Sequence, residues 1–128
     1  MEVNRPDVLV EVEAVFARYE AALVSNDVAV LDALFCAAPT TIRYGIGENL
    51  HGIEEIRAFR LGRPSAGLDR RLERTVITTY GDDFATASTL FYRDAAPGRV
   101  GRQMQSWVRM ADGWRVVAAH VSIIDEPA

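Results

Sequence analysis

A chain of 128 residues, of which 49% are hydrophobic and 25% charged, has the size and composition of one globular domain, and we predict a single domain over residues 1–128. Its formal net charge of -4 argues against nucleic-acid binding, which depends on clustered Lys and Arg. The sequence contains no lysine, so lysine Schiff-base catalysis and P-loop phosphate binding are excluded.

Signals for disulfides, membranes and secretion are missing from the sequence. Cys36 is the single cysteine, which excludes an internal disulfide and a multi-cysteine zinc site. No apolar run approaches the roughly 20 residues that a membrane helix needs. The N-terminal stretch MEVNRPDVLVEVE lacks the apolar core of a secretory signal. We expect a soluble cytoplasmic protein without membrane association.

The first half of the chain shows helical periodicity. Apolar residues at spacings of three and four predict a helix from about Pro6 to Val24, with Tyr19 on the buried face. Ser25-Asn26-Asp27 supplies helix-capping residues. The segments that follow are predicted as a second helix over 28–35, a strand over 40–44, a glycine-bearing turn, an extended piece over 49–51 and a third helix over 53–61.

The second half has the texture of long strands. The runs LERTVITTY, FATASTLFYR, RQMQSWVRM and WRVVAAHVSII are separated by the turn sequences GDD, DAAPG and ADG. This spacing predicts an antiparallel meander. Helices early and strands late indicate an α+β fold in which a curved antiparallel sheet wraps three N-terminal helices.

The apolar pattern of the last predicted strand indicates that a second copy of the chain packs against the sheet. In WRVVAAHVSII both alternating sets are apolar, with Val116, Ala118 and Ile124 in one set and Val117, Ala119, Val121 and Ile123 in the other. A sheet with one wet face should alternate apolar and polar residues. Because helices can cover only one face, we predict a homodimer that packs through the sheet.

Several familiar catalytic motifs are weak here. GIGENLHG lacks the spacing and the lysine of a phosphate loop, and its glycines are better explained by a tight turn. His51 and His120 have no ligand-spaced Glu or Cys beside them, so we expect no metal site. Ser106, Ser122 and Cys36 lack the context of an activated nucleophile.

Polar side chains in segments that otherwise form core are the better candidates. Each of these side chains also has a purely structural explanation. The tyrosine can fill the core, the arginine can extend its charged end to the surface, the histidine can be a structural group with its hydrogen bonds satisfied, and the glutamines can belong to a subunit interface. Arg43 is the informative one, because a buried guanidinium needs an anion and its planar fork fits a carboxylate. Only Glu48, just past the turn, offers a nearby acid in sequence. The candidates are Tyr19, Arg43, Gln103, Gln105, Trp107, His120 and Ser122.

The chain resembles a known family over nearly its whole length. The arginine-bearing first strand, the helical front and the sheet resemble the cystatin-like, nuclear-transport-factor-2-like (NTF2-like) α+β cone. More specifically, the chain is similar to the AtzH-like family, which includes HpxZ proteins of oxalurate catabolism. The stretches that carry this likeness are YEAALVSNDVAVLDALF, IRYGIGENLHG, AFRLGRP, FATASTLF, GRVGRQMQSWVR and GWRVVAAHVS.

The resemblance implies a decarboxylating amidohydrolase that converts 1,3-dicarboxyurea, or a related ureido carboxylate, to allophanate or its analogue. The family's essential tyrosine and arginine fall on Tyr19 and Arg43. Gln105, Trp107, His120 and Ser122 are then expected to form the substrate-binding wall, and neither metal nor organic cofactor is required.

Two other readings stay open. The first is a non-catalytic dimeric binding module that serves an amidase partner in ureide or oxalurate catabolism. The second is an isomerase or cyclase that moves a proton, since the same cone hosts such reactions. Isomerases of that kind use an aspartate base, and no inward-pattern aspartate is evident in the strands.

Overall fold

Helices occupy the first half of the chain and long strands the second, as predicted. The computed structural model describes residues 1–64 and 68–127. The helices are α1 (Pro6–Ser25), α2 (Val28–Leu34) and α3 (Ile53–Gly62). The strands are β1 (Ile42–Tyr44), β2 (Asn49–His51), β3 (Arg71–Tyr80), β4 (Phe84–Tyr92), β5 (Arg99–Met110) and β6 (Gly113–Asp125). The α+β architecture, with three helices against a curved sheet, is confirmed.

The six strands form one sheet in the order β2-β1-β6-β5-β4-β3. Neighbours from β3 to β6 are antiparallel, as the short turns between them dictate. The pairing of β1 with β6 is parallel, so the prediction of a wholly antiparallel sheet is wrong at this point. Because β1 and β6 are far apart in sequence, no tight turn sets their relative direction.

The junction between the first two helices follows the capping chemistry of the sequence. Asn26 takes the left-handed conformation at the end of α1, with φ 54° and ψ 44°. The Asp27 carboxylate then accepts a hydrogen bond from the Val30 amide at 3.2 Å and begins α2.

None of the helices in the described ranges is long and apolar enough to cross a membrane.

The core lies between the helices and the inner face of the sheet. Each of the three helices contributes a buried stripe, and the sheet contributes aromatic and small side chains. Leu31 and Leu34 of α2 are fully buried, as is Trp107 of β5. The helical residues of this core are Val8, Val12, Phe16, Tyr19, Ala22, Leu23, Leu31, Leu34, Ile53 and Ile56.

A bulge in β6 decides which of its residues face this core. Trp107 pairs with Val116 and Ser106 with Ala118, so Val117 has no partner on β5. The alternation therefore shifts by one residue: Val116 is buried before the bulge, and Ala119 and Val121 are buried after it. Unbroken alternation, which placed Val116 and Ala118 on one face, is wrong across this bulge.

Helix α2 should stabilise the fold mainly through the burial of its apolar side chains. Leu31→Ala should lower the free energy of unfolding by about 2–5 kcal/mol, because a fully buried leucine leaves a cavity when truncated. Urea denaturation measures this loss. Leu61→Ala is the matched control, since Leu61 of α3 is 79% exposed and should change stability by less than about 0.5 kcal/mol.

Candidate functional site

A cavity of about 240 Å³ opens between α1, the β1–β2 hairpin, the end of α3 and the inner face of the sheet. Larger surface hollows of about 470 and 520 Å³ lie elsewhere and contain neither Tyr19 nor Arg43. The cavity is lined by Tyr19, Leu23, Arg43, Ile46, Glu48, Phe59, Arg63, Pro64, Leu68, Arg70, Arg93, Gln103 and Val121. Four arginines against one glutamate make its wall cationic.

Tyr19 reaches the cavity from the buried stripe of α1. Its ring meets the edge of Trp107 at a centroid distance of 6.4 Å with perpendicular planes, and lies 6.3 Å from Phe35. Such edge contacts between aromatic rings hold their relative orientation. The phenol is therefore fixed by packing, and only 3% of the residue is exposed.

Arg43 enters from the middle of β1, opposite Ala119 of β6, and is 8% exposed. Its Nη1 donates to Glu48 Oε1 at 2.8 Å, and its guanidinium lies 5.4 Å from the centre of the Phe59 ring. The counter-ion of Arg43 is thus Glu48, the nearby acid that the sequence offers. Glu48 lies four residues beyond the end of β1, and the hairpin folds it back onto Arg43.

The turn between β1 and β2 is shaped for this ion pair. A side chain at Gly45 would overlap Glu48 Oε1 and come within 3.0 Å of Arg43 Nη1. The Gly47 amide donates to the other carboxylate oxygen, Oε2, at 3.1 Å. Of the glycines of GIGENLHG, Gly45 and Gly47 lie in the predicted turn, and Gly52 takes φ 85° at the start of α3. Gly45 also leaves the space in which Arg43 and Glu48 meet.

A second ion pair lies at the other end of the cavity. Arg70 donates through Nε to Glu20 of α1 at 3.1 Å, and its Nη2 contacts the same carboxylate. Arg70 Nη2 also donates to Gln103 Oε1 at 2.9 Å. Since the oxygen of the Gln103 amide is engaged, its Nε2 group is left buried and without a partner in the described residues. Gln103 therefore offers a donor to the cavity.

Two further arginines in the wall lack such partners. Nε and Nη2 of Arg63, and Nε of Arg93, are buried without a hydrogen-bond acceptor in residues 1–64 and 68–127. Burial lowers the pKa of Arg63, and the neighbouring Arg43 charge lowers that pKa further. Burial likewise lowers the pKa of Arg93, followed by the charge of Arg70. Both guanidiniums nevertheless stay charged at neutral pH.

Behind the cavity wall, Arg60 of α3 is held in place without reaching the cavity. Its Nη1 donates to Asp32 of α2 at 2.7 Å, and its guanidinium stacks 4.2 Å from the centre of the Phe35 ring. Burial lowers the pKa of Arg60. Because Phe35 also contacts Tyr19, this pair ties α2 and α3 to the site.

The predicted residues on β5 are buried but stand behind the site. Trp107 donates its indole N–H to Gln105 Oε1 at 3.0 Å, and neither residue lines the cavity. Trp107 acts on the site through its contact with the Tyr19 ring. Gln105 and Trp107, predicted as substrate-binding residues, are thus not brought to the surface of this cavity, and Gln103 lines it from the same strand.

His120 and Ser122, predicted as substrate-binding residues, lie on the far face of the sheet and do not line this cavity. Val121 between them faces the cavity, and strand alternation turns both neighbours outward. His120 contacts the Tyr44 ring on the outer face, with centroids 6.3 Å apart. Ser122 accepts a hydrogen bond from Arg102 Nε at 3.1 Å.

Three arginines of the cavity wall that come from loops were not predicted from the sequence. Arg63 follows α3, Arg70 precedes β3 and Arg93 follows β4, where charged residues are ordinarily solvated. A signal was present in composition, since the chain has arginine and no lysine.

In the part of the chain that the structure describes, no group of three or more His, Cys, Asp or Glu side chains could hold a metal ion.

The sequence matches the AtzH-like family over residues 1–127. The chain belongs to the AtzH-like family. No protein of curated function matches this AtzH-like chain.

Solved structures similar to this AtzH-like protein share its fold along nearly the whole chain. A protein of unknown function from Pectobacterium atrosepticum is 65% identical with a TM-score of 0.94, covering 96% of this chain and 95% of that one. A cystatin-like fold protein from Burkholderia xenovorans is 54% identical with a TM-score of 0.95, covering 99% of each. At 22% identity, an NTF2-like protein with a cystatin-like fold from Novosphingobium aromaticivorans has a TM-score of 0.72 and covers 95% of this chain and 85% of that one. The NTF2-like, cystatin-like fold expected from the sequence is confirmed.

A methyl group at Gly45 should break the Arg43–Glu48 pair. Gly45→Ala displaces the Glu48 carboxylate and leaves a buried guanidinium unpaired, which should cost about 1–3 kcal/mol of stability. Chemical denaturation measures the loss. Gly47→Ala is the control, because a Cβ there meets nothing within 4 Å. Equal stability of the two variants would show that the pair contributes nothing to the fold.

Proposed function

We propose that this protein is a cofactor-independent decarboxylating amidohydrolase that acts on a small N-carboxylated urea, such as 1,3-dicarboxyurea. The observation that carries the proposal is that Tyr19 and Arg43 line one cavity of about 240 Å³. Membership of the AtzH-like family supports the same chemistry. The cavity would hold about eight water molecules at roughly 30 Å³ each, which suits a small and strongly polar substrate.

The reaction needs a proton and a place for a carboxylate. In an N-carboxyurea, the bond between the nitrogen and the carboxylate carbon breaks, and its electron pair goes to the nitrogen. That nitrogen takes a proton, and the former carboxylate leaves as carbon dioxide. Tyr19 is the proton donor in our proposal, and water returns a proton to it afterwards. The net change is one proton consumed and one carbon dioxide released.

Arg43 holds a substrate carboxylate in this scheme. A guanidinium has five N–H donors, and the Glu48 contact uses one nitrogen, Nη1. Donors therefore remain for a second anion, while Glu48 fixes the plane of the group. A charged donor that is already held in position is the arrangement that stabilises developing charge most effectively.

Two substitutions test the assignment of roles. Tyr19→Phe removes the proton donor and Arg43→Met removes the carboxylate anchor, so each should lower the rate by at least about tenfold, which corresponds to about 1.4 kcal/mol of transition-state stabilisation. The measurement is carbon dioxide release from freshly prepared N-carboxyureas. Tyr80→Phe on the edge strand β3 and Arg18→Met on the exposed side of α1 are the matched controls.

The outcomes separate this function from its rivals. Near-wild-type turnover in both folded variants would overturn the roles of Tyr19 and Arg43. If the wild-type protein binds N-carboxyureas and releases no carbon dioxide, it is a binding module. Among described residues the cavity holds Glu48 as its acid, already paired with Arg43, and no aspartate. Tight binding of an apolar polycyclic ligand would instead favour an isomerase.

We propose in addition that two copies of the chain pack through the outer face of the sheet. Strand register aligns Val76, Ser88, Met104, His120 and Tyr44 in one row across that face. Met104 at its centre is 61% exposed, and Val76 at its end is 56% exposed. Exposed apolar side chains at the middle of a sheet are typical of a surface that a partner covers.

Light scattering after size exclusion tests this assembly. At micromolar concentration the wild-type protein should have twice the chain mass of 14.2 kDa. Met104→Glu places a charge at the centre of the row and should give the monomer mass. Val10→Glu is the control, because Val10 is 64% exposed on α1. A wild-type monomer would contradict the proposal.

A further inference from the structure

The cavity carries more positive charge than the described residues neutralise. Arg43 pairs with Glu48 and Arg70 with Glu20, so each of these guanidiniums has its own carboxylate. Arg63 and Arg93 form no ion pair with any residue in the ranges 1–64 and 68–127, although both line the same cavity. Two positive charges are therefore left over at the wall.

These two guanidiniums are also short of hydrogen-bond acceptors. Three of their nitrogen atoms are buried with no acceptor within the described ranges: Nε and Nη2 of Arg63, and Nε of Arg93. Arg63 lies 5.9 Å from the centre of the Phe59 ring and Arg93 lies 5.2 Å from that of Phe91. The rings orient the guanidiniums but offer no lone pair in the plane of the N–H groups. An unsatisfied buried donor is costly, and a ligand oxygen would remove the cost.

The two arginines stand beside different groups of the site. Arg43 lies over the same phenylalanine ring as Arg63, 5.4 Å from the ring centre. Arg70, which donates to Gln103, lies over the same ring as Arg93, 4.5 Å from the ring centre. The Gln103 Nε2 group is a further buried donor without a partner among the described residues. The wall therefore has one cationic end at Arg43 and Arg63, and another at Arg70, Arg93 and Gln103.

We propose that Arg63 and Arg93 make this site selective for molecules with two carboxylates, Arg63 binding one carboxylate beside Arg43 and Arg93 binding the other beside Gln103. The inference rests on the proposed function, whose substrate carries a carboxylate on each nitrogen of a urea. It deepens that function by assigning the second carboxylate to residues of its own. Both arginines are specificity-determining residues, and Tyr19 acts at the Arg43 end.

Paired ligands of equal length test this selectivity. Glutarate has the five-atom span of 1,3-dicarboxyurea between and including its two carboxyl carbons, and pentanoate replaces one of its carboxylates by a methyl group. Isothermal titration in a chloride-free buffer of low ionic strength measures both affinities. The wild-type protein should prefer glutarate by at least about tenfold, because charged hydrogen bonds to the second carboxylate are lost in pentanoate.

Substitution by methionine removes each guanidinium and keeps an unbranched apolar side chain. Arg63→Met and Arg93→Met should each weaken glutarate binding by at least about tenfold, and pentanoate binding by less than about threefold, since pentanoate can use the remaining end. Arg18→Met, on the exposed side of α1, should leave both affinities unchanged. Equal losses for the two ligands, or no loss for glutarate, would overturn the inference. A selective loss in one variant alone would overturn the assignment of the other arginine.

Thermal unfolding separates binding from scaffolding. Without ligand, both methionine variants should unfold at the wild-type temperature or above it, because a buried charge without a partner has been removed. Glutarate should raise the unfolding temperature of the wild-type protein more than that of either variant. A lower unfolding temperature in both variants, without a selective loss of glutarate binding, would show a structural role and overturn the proposal.

The inference and the proposed function can fail separately. If glutarate selectivity depends on Arg63 and Arg93 but the wild-type protein releases no carbon dioxide from N-carboxyureas, the proposed function fails and the dicarboxylate site stands. If turnover depends on Tyr19 and Arg43 but KM for the dicarboxylated urea is unchanged in Arg63→Met and Arg93→Met, the proposed function stands and this inference fails.

Discussion

The cost of burying guanidinium groups governs the organisation of this protein. A charge in a poorly solvated position needs a counter-charge and hydrogen-bond acceptors close by. The fold delivers these from separate parts of the chain: Glu20 from α1, Asp32 from α2 and Glu48 from the hairpin turn. Each pair joins an element of the helical layer or the hairpin to a part of the site. The same charges thus position the cavity wall and connect the elements that enclose it.

A wall of fixed arginines has a thermodynamic consequence for ligand binding. The donors are already oriented by rings and carboxylates, so a small anion that enters pays little to organise them. The same donors lower the stability of the folded chain wherever they are buried without an acceptor. Stability and ligand affinity are therefore opposed at Arg63 and Arg93, a trade-off that is common where function requires a strained or unsatisfied site. The ion pairs elsewhere in the wall limit that cost.

Local rules predicted most of this fold, and the exceptions are informative. Helical spacing and capping residues predicted α1, its junction with α2 and the inward direction of Tyr19. The arginine in β1 predicted a buried cation. The parallel pairing of β1 with β6 and the bulge at Val117 were missed, because they depend on contacts between distant segments and not on local periodicity. One shifted residue is enough to change which face a side chain joins.

The site itself was harder to predict than the fold. Tyr19 and Arg43 stand out because a polar group interrupts an apolar pattern. Arg63 and Arg93 follow α3 and β4, where an arginine is unremarkable in sequence, and only the folded chain shows that their N–H groups are buried. The direction of His120 could not be predicted from alternation, because the strand around it is apolar on both faces. The pattern therefore does not indicate which face the helices cover.

The pairing of β1 with β6 also has a temporal consequence. Arg43 lies opposite Ala119, so a residue of β1 is held by a strand that is synthesised after β3, β4 and β5. At about 5–20 residues per second, several seconds pass between the synthesis of these two positions. During that interval α1 and α2 can form, whereas β1 has no neighbour on its inner side. Assembly of the cavity is therefore a late event of high contact order, and a chain truncated before β6 would carry Arg43 without a site.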